Sequence, residues 1–324
     1  MRPTPARLLP LLLALLLAAL PARAGRFEFV ALGDMPYGSD ARTLARFKAL
    51  IETVNARNPA FTIHVGDIKS GASACSDARL TRLRDLLNRF SPALIYTPGD
   101  NEWTDCGNPL AGHYAPLERL AFLRRTFFSD PRRSLGAAPR AVESQAEVMG
   151  GAFSPYVENT RFMQGGVMFI TAHVVGSNNN RRRFLSAATR EYKARDRANI
   201  AWLKASFARA QARGAKAIVL ALQADMFKEK FDTPGQPEAF TLTSPYRDFG
   251  NTLKRLAARF ERPVLLIYGD SHSFTIHRPF RRAAPNLTAL QVFGERDMHA
   301  VRVMVDTEDP AVFAFAPLLN PSMP

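Results

Sequence analysis

The sequence predicts an α/β fold, and three observations carry that reading. Short apolar runs recur at 26–33, 60–66, 92–99, 166–176, 215–224 and 263–269, each with the length of a buried strand. Between most of them lie segments with apolar residues at helical spacing, a pattern that implies parallel βαβ units. After Asp270 the alternation stops. The runs 288–294, 299–306 and 310–318 read as strands with little room for helices, so an antiparallel finish is expected.

Taken in order, "RFEFVALG" opens the sheet. In 40–57, Leu44, Phe47, Ile51 and Val54 fall on one helical face. The run 60–66 follows, then a helix over 77–90 with Asp77 as its expected N-cap. After the strand 92–99, helical patterns occupy 116–128, 195–214 and 244–260, the middle one closed by Gly214. The stretch 129–155 is rich in Ala, Gly and Pro with weak periodicity and reads as an insertion or long loop. No linker composition divides the 324 residues, so a single domain over 25–324 is expected.

The N-terminus reads as a targeting segment. Arg2 and Arg7 lead into the apolar run Leu8–Leu20, which contains Pro10 and is shorter than the roughly 20 residues of a membrane span. Ala22-Arg23-Ala24 has the small-x-small form of a cleavage site. A signal peptide over 1–24 and an exported, periplasmic or secreted protein are expected; an uncleaved anchor is the alternative. No later segment is apolar enough to span a bilayer. Export permits a disulfide, and Cys75 and Cys106 are the only cysteines. Their bridge is expected, against two free thiols, and would contribute roughly 3–4 kcal/mol.

The formal charge is +14, and loss of Arg2, Arg7 and Arg23 with the leader leaves +11. This favours anionic partners. The arginines are scattered along helices, apart from Arg181-Arg182-Arg183, and serve solubility equally well. A small phosphorylated molecule is the expected partner, with nucleic acid and a stable protein partner disfavoured.

The informative motif is a repeat of Gly-Asp at strand ends: "ALGDMPYG", "HVGDIKSG", "TPGDNEW" and "IYGDSHSF". Ligands of open α/β sheets bind beyond the carboxyl ends of strands. The four endings would bring Asp34, Asp67, Asp100 and Asp270 to one edge, where a divalent cation offsets their repulsion. Taken singly, each Gly-Asp is a turn.

This order of blocks resembles the calcineurin-like metallophosphoesterase superfamily, which includes the purple acid phosphatases, over roughly 27–306. The resemblance implies an αββα sandwich, with mixed sheets and helices on the outer faces. It implies one ion held by Asp34, Asp67 and His272, and a second held by Asp67, Asp100, Gln223 and Asp270. Pro36, Asp100, Asn101, Gln223 and Asp270 replace residues usual in the family. The resulting oxygen-rich set favours Mn²⁺, Mg²⁺ or Ca²⁺ over Zn²⁺ or Fe. By the same resemblance Asn101 would face substrate, without a proton to give. His173 is then the first candidate acid and His113 a weaker one. Asn178 and Arg181, in "GSNNNRRRF", are candidate phosphate contacts. Tyr37 and Glu102 are expected to support ligands. Trp103 either walls the pocket or packs locally. His64 reads as structural, and His277 and His299 carry no assignment.

The leading expectation is an exported, metal-dependent phosphoesterase acting on a phosphomonoester or phosphodiester. The alternative is a protein of that fold which binds metal and anionic ligands with impaired turnover. A weaker third reading is a basic envelope protein that binds anionic polymers through surface arginines.

Overall fold

The computed structural model describes residues 25–228, 231 and 238–324. The expected signal peptide lies outside the described residues. The chain opens with β1 (Arg26–Leu32), α1 (Ala41–Arg57), β2 (Thr62–His64), α2 (Asp77–Leu87), β3 (Leu94–Tyr96) and α3 (Pro116–Phe127). Then come β4 (Glu143–Ser144), α4 (Gln145–Met149), β5 (Thr160–Gln164), β6 (Val167–Thr171) and the short turn α5 (Gly176–Asn179). α6 (Ser186–Ala212), β7 (Ala217–Ala221), α7 (Arg247–Phe260) and β8 (Val264–Tyr268) follow. The chain closes with β9 (Thr275–His277), β10 (Leu287–Gln291), β11 (Ala300–Asp306) and β12 (Phe313–Leu318).

Two sheets form, in the orders β12-β11-β1-β2-β3 and β4-β5-β6-β7-β8-β10-β9. β1, β2 and β3 are mutually parallel, as are β6, β7 and β8. Strand side chains alternate between faces, and that alternation separates three apolar layers. Val30 and Leu32 of β1 pack with Phe47 and Leu50 of α1 and Leu83 of α2. Phe29 and Ala31 of the same strand face the second sheet, against Phe61, Phe169 and Val219. On the far side, Ile218 and Leu220 of β7 meet Trp202 of α6 and Phe249 and Leu253 of α7. The architecture is therefore the expected αββα sandwich of mixed sheets with outer helices.

The departures are local. β5 precedes the expected run at 166–176 and turns into β6 through Gly165 and Gly166, both at positive φ. The run itself ends as a strand at Thr171. The stretch 129–155 holds β4, which extends the edge of the second sheet, and α4. The finish after Asp270 is only partly antiparallel: β11 and β12 are, but β10 pairs with β8 in parallel, because β9 forms the hairpin with β10 instead. Ser76, not Asp77, caps α2, its hydroxyl accepting from the Arg79 N–H at 3.3 Å. Gly214, at φ +63°, follows the end of α6 as expected. Among the described residues no helix is long and apolar enough to cross a membrane.

Candidate metal centre

Each acidic tip follows the carboxyl end of a parallel strand, Asp34 after β1, Asp67 after β2, Asp100 after β3 and Asp270 after β8. Asp34, Asp67 and Asp270 adopt positive φ of 53°, 56° and 73°, which turns the chain sharply and aims the carboxylates inward. The neighbouring glycines make room. A Cβ on Gly99 would lie 2.0 Å from Asp67 Oδ1, and one on Gly269 would lie 2.2 Å from Asp34 Oδ2. A Cβ on Gly176 would fall 2.7 Å from Asp270 Oδ1 and 2.9 Å from Asp100 Oδ2. The structure thus brings the four tips together.

Asp67 is the hub. Its Oδ2 accepts from the Tyr37 hydroxyl (2.8 Å), Asn101 Nδ2 (2.9 Å) and Gln223 Nε2 (3.2 Å). Its Oδ1 accepts from the Asn101 N–H (3.2 Å). Both oxygens of Asp34 accept from the Asp270 N–H (3.0 and 3.1 Å), and His272 Nε2 lies 3.7 Å from Asp34 Oδ1. His272 also approaches the Tyr37 hydroxyl at 3.1 Å. Asp100 Oδ1 is buried with no hydrogen-bond partner among the described residues.

Burial pushes all four carboxyl groups above the ordinary range; neighbouring aspartates of the set add to it for Asp34, Asp67 and Asp100, and the charge of Asp225 does so for Asp270. Asp100 rises to about 8, through burial and then the charge of Asp270. Lys69, also buried, is pushed down to about 8 by burial. Its ammonium donates to the Ser70 carbonyl at 2.8 Å, not to an aspartate.

A carboxylate-rich donor set, with the single imidazole of His272 beside Asp34 and an unpartnered buried oxygen on Asp100, suits a hard cation. Among the described residues, however, no three His, Cys, Asp or Glu side chains are gathered closely enough to hold an ion. The oxygens of Asp67 and Asp34 are engaged by donors of the chain. The residues fit a hard cation by chemistry and are not preassembled around one.

Several expected roles change. Gln223 does not present an oxygen ligand: its Oε1 accepts from the Gly176 N–H (2.6 Å), so its amide nitrogen faces Asp67. Asn101 is buried and turns its amide to Asp67 and Tyr37 (3.0 Å), not outward to substrate. His173 is fully buried, with Nδ1 2.8 Å from Glu158 Oε1 and its ring against Trp103. A group so enclosed does not reach a leaving group. Trp103 is itself buried and walls no cleft. The Arg181 guanidinium is held by the Thr243 carbonyl and lies over Tyr192. Asn178 does line a cavity of about 380 Å³ beside Asp270.

Other assignments stand as expected or gain partners. Glu102 accepts from the Ile68 N–H and the Tyr96 hydroxyl, both at 3.0 Å, and so ties the ends of β2 and β3 together. His64 is buried between the Met35 carbonyl and the Gly66 N–H. His113 Nδ1 lies 3.1 Å from the Gly107 carbonyl, His277 Nε2 is 2.8 Å from the Tyr268 hydroxyl, and His299 Nδ1 accepts from the Asn320 N–H at 3.1 Å. The Cys75–Cys106 disulfide is formed, with a Cα–Cα distance of 5.7 Å. Both sulfurs lie against the Asn101 carbonyl, at 3.7 and 3.6 Å, bracing the turn that carries Asp100. The sequence reading missed Asp225 and Lys228, which line the cavity with Asn178. Their signal was the "QADMFK" segment that follows the β7 strand end.

No protein-family model and no curated protein sequence matches the chain. Solved structures do. A dimetal phosphatase from Danio rerio is 9% identical with a TM-score of 0.52, covering 91% of this chain and 99% of its own. A purple acid phosphatase from yellow lupin (Lupinus luteus) seeds is 12% identical with a TM-score of 0.52, covering 91% of this chain and 54% of its own. With two sheets packed face to face, helices outside and acidic turns at the carboxyl ends of the parallel strands, the chain has the fold of the calcineurin-like metallophosphoesterases.

Proposed function

We propose that the protein is an exported phosphoesterase-type hydrolase that depends on a divalent cation, Mn²⁺, Mg²⁺ or Ca²⁺ by donor chemistry, and acts on a phosphomonoester or phosphodiester. One observation carries the reading. The buried carboxylates of Asp34, Asp67 and Asp100 and the half-buried one of Asp270 converge from strand ends of the two sheets, and an anionic substrate cannot approach them until their charge is neutralised. Asp34, Asp67, Asp100, Asp270 and His272 are the residues that would hold the cation. When bound, such an ion supplies the charge that polarises a phosphoryl group and lowers the pKa of water.

The chain's own residues do the rest. Tyr37, Asn101 and Gln223 fix the Asp67 carboxylate in one orientation through their three donors. Glu102 and the disulfide hold the turn that bears Asp100. The adjoining cavity offers the Lys228 ammonium to phosphate oxygens, while the Tyr246 ring forms an apolar wall; Asn178 also lines it, but its amide donates to the Arg181 carbonyl. Arg181, engaged elsewhere, is not part of this contact set.

The test uses the mature protein, stripped of metal and then titrated with Mn²⁺ or Mg²⁺. Heat of cation binding and hydrolysis of an aryl or bis-aryl phosphate are expected, and both are lost in Asp67→Ala. Hydrolysis unchanged in Asp67→Ala would overturn the proposal. A second reading, binding without turnover, is favoured by the amide nitrogens that Gln223 and Asn101 turn to Asp67. It is distinguished by heat on adding cation and phosphoester, with no product.

A further inference from the structure

The geometry points to a second anion-binding site, at the end of the second sheet opposite the one that carries Asp270, that takes a small organic phosphate ester through arginines. A cavity of about 350 Å³ opens there, between the β5–β6 hairpin and the end of α6. β6 runs parallel to β7 and β8, whose carboxyl ends carry Gln223 and Asp270. Met168, near the start of β6, and Arg209, in the last turn of α6, therefore lie away from the candidate metal centre.

Four arginines line this cavity, at positions 140, 161, 209 and 213, with a single acid, Glu143. Glu143 is shared: it accepts from Arg161 Nε at 2.8 Å and from an Arg209 terminal nitrogen at 2.6 Å. Arg161 is only 7% exposed and is fixed further over the Trp202 ring at 4.5 Å. Arg140 is stacked on Phe162 at 3.9 Å, donates to Gln164 Oε1 at 3.0 Å and keeps a buried Nε with no acceptor among the described residues. Arg213 forms no ion pair among the described residues. One carboxylate against four guanidiniums leaves a local excess of positive charge, of which Arg161 and Arg140 are held in fixed, partly desolvated positions.

Guanidinium forks match phosphate oxygens in bidentate pairs. The other wall is apolar, formed by Phe162, Met163 and Met168. The cavity thus pairs charge with a surface for a planar or aliphatic group, which favours an organic phosphate ester over the bare inorganic ion. Nothing in the argument depends on the centre at the other end.

The test is calorimetry on the whole mature protein in EDTA and moderate salt, where the four carboxylates repel anions. The probes are phenyl phosphate and inorganic phosphate. Phenyl phosphate is expected to bind several-fold more tightly than inorganic phosphate. Arg140→Gln and Arg213→Gln should each weaken it by about tenfold, as loss of one charge-assisted contact would. Glu143→Gln removes the only opposing charge and should tighten binding, a gain that misfolding does not produce. If Arg140→Gln fails to fold, the exposed Arg213 position decides. Absence of phenyl phosphate binding, equal affinity in Arg213→Gln, or no gain in Glu143→Gln would each overturn the proposal.

Discussion

Gln223 turns its amide nitrogen, not its carbonyl oxygen, toward Asp67: Nε2 lies 3.2 Å from Oδ2, while Oε1 accepts the Gly176 N–H at 2.6 Å. The orientation is dictated on both sides, since a backbone N–H can only donate and a carboxylate can only accept. Gln223→Glu keeps the shape and the contact with Gly176 but replaces a donor by a fifth negative charge. In EDTA the variant should be less stable than wild type by about 2 kcal/mol. Divalent cation should recover more of the loss in the variant than it adds to wild type. Urea titrations with and without Mn²⁺ check this, and equal stability in EDTA would sink it.

The disulfide and Asn101 form a second testable unit. The bridge spans 31 positions and presses on the Asn101 carbonyl. The paired variant Cys75→Ala, Cys106→Ala should lose about 3 kcal/mol. It should also loosen the turn that holds Asp100 and thereby weaken cation binding. Denaturation of the variant, with reductant present and absent, gives the first number, and cation calorimetry gives the second. Reductant should shift wild type and leave the variant where it is.

His64 sets an acid dependence. Burial pushes it down to about 4, and its ring is held neutral between the Met35 carbonyl and the Gly66 N–H. Below its ordinary value near 6.5 the unfolded chain takes up a proton that the folded ring refuses. The contribution is therefore intact above pH 6.5 and falls away as pH drops toward 4, by about 3 kcal/mol in all. His64→Gln can make both hydrogen bonds without titrating. The stability difference between wild type and His64→Gln should shrink or reverse over that window, followed by urea midpoints at pH 7, 5.5 and 4.

The pattern at strand ends was legible because a strand that stops at Gly-Asp must turn at the sheet edge, and parallel strands stop at the same edge. Asp34, Asp67 and Asp100 share an edge for that reason, and Asp270, after β8 of the second sheet, joins them because the two sheets pack face to face. The amides were not legible. What faces Asp67 from Gln223 depends on Gly176, a residue 47 positions away, and nothing local fixes it. His173 misled because a histidine after a strand resembles a site residue, while Glu158, Asn159 and Trp103 enclose it from other elements. β5 escaped notice because Arg161 and Gln164 interrupt its apolar pattern. Arg161 is covered only once Trp202 and Glu143 arrive.

Two glycines separate folding from cation capture. At Gly99 a Cβ would sit 2.0 Å from Asp67 Oδ1 and 2.5 Å from the Asp67 nitrogen. Backbone cannot yield as a side-chain tip can, so Gly99→Ala should both destabilise the protein and displace the hub carboxylate. At Gly176 the nearest atoms are instead carboxylate oxygens, Asp270 Oδ1 at 2.7 Å and Asp100 Oδ2 at 2.9 Å. These are the far ends of side chains and can swing aside. Gly176→Ala should therefore melt within a few degrees of wild type while holding divalent cation at least about tenfold more weakly. Thermal melts in EDTA paired with Mn²⁺ calorimetry read the two effects separately. Cation affinity unchanged in Gly176→Ala would mean that Asp100 and Asp270 take no part in binding an ion.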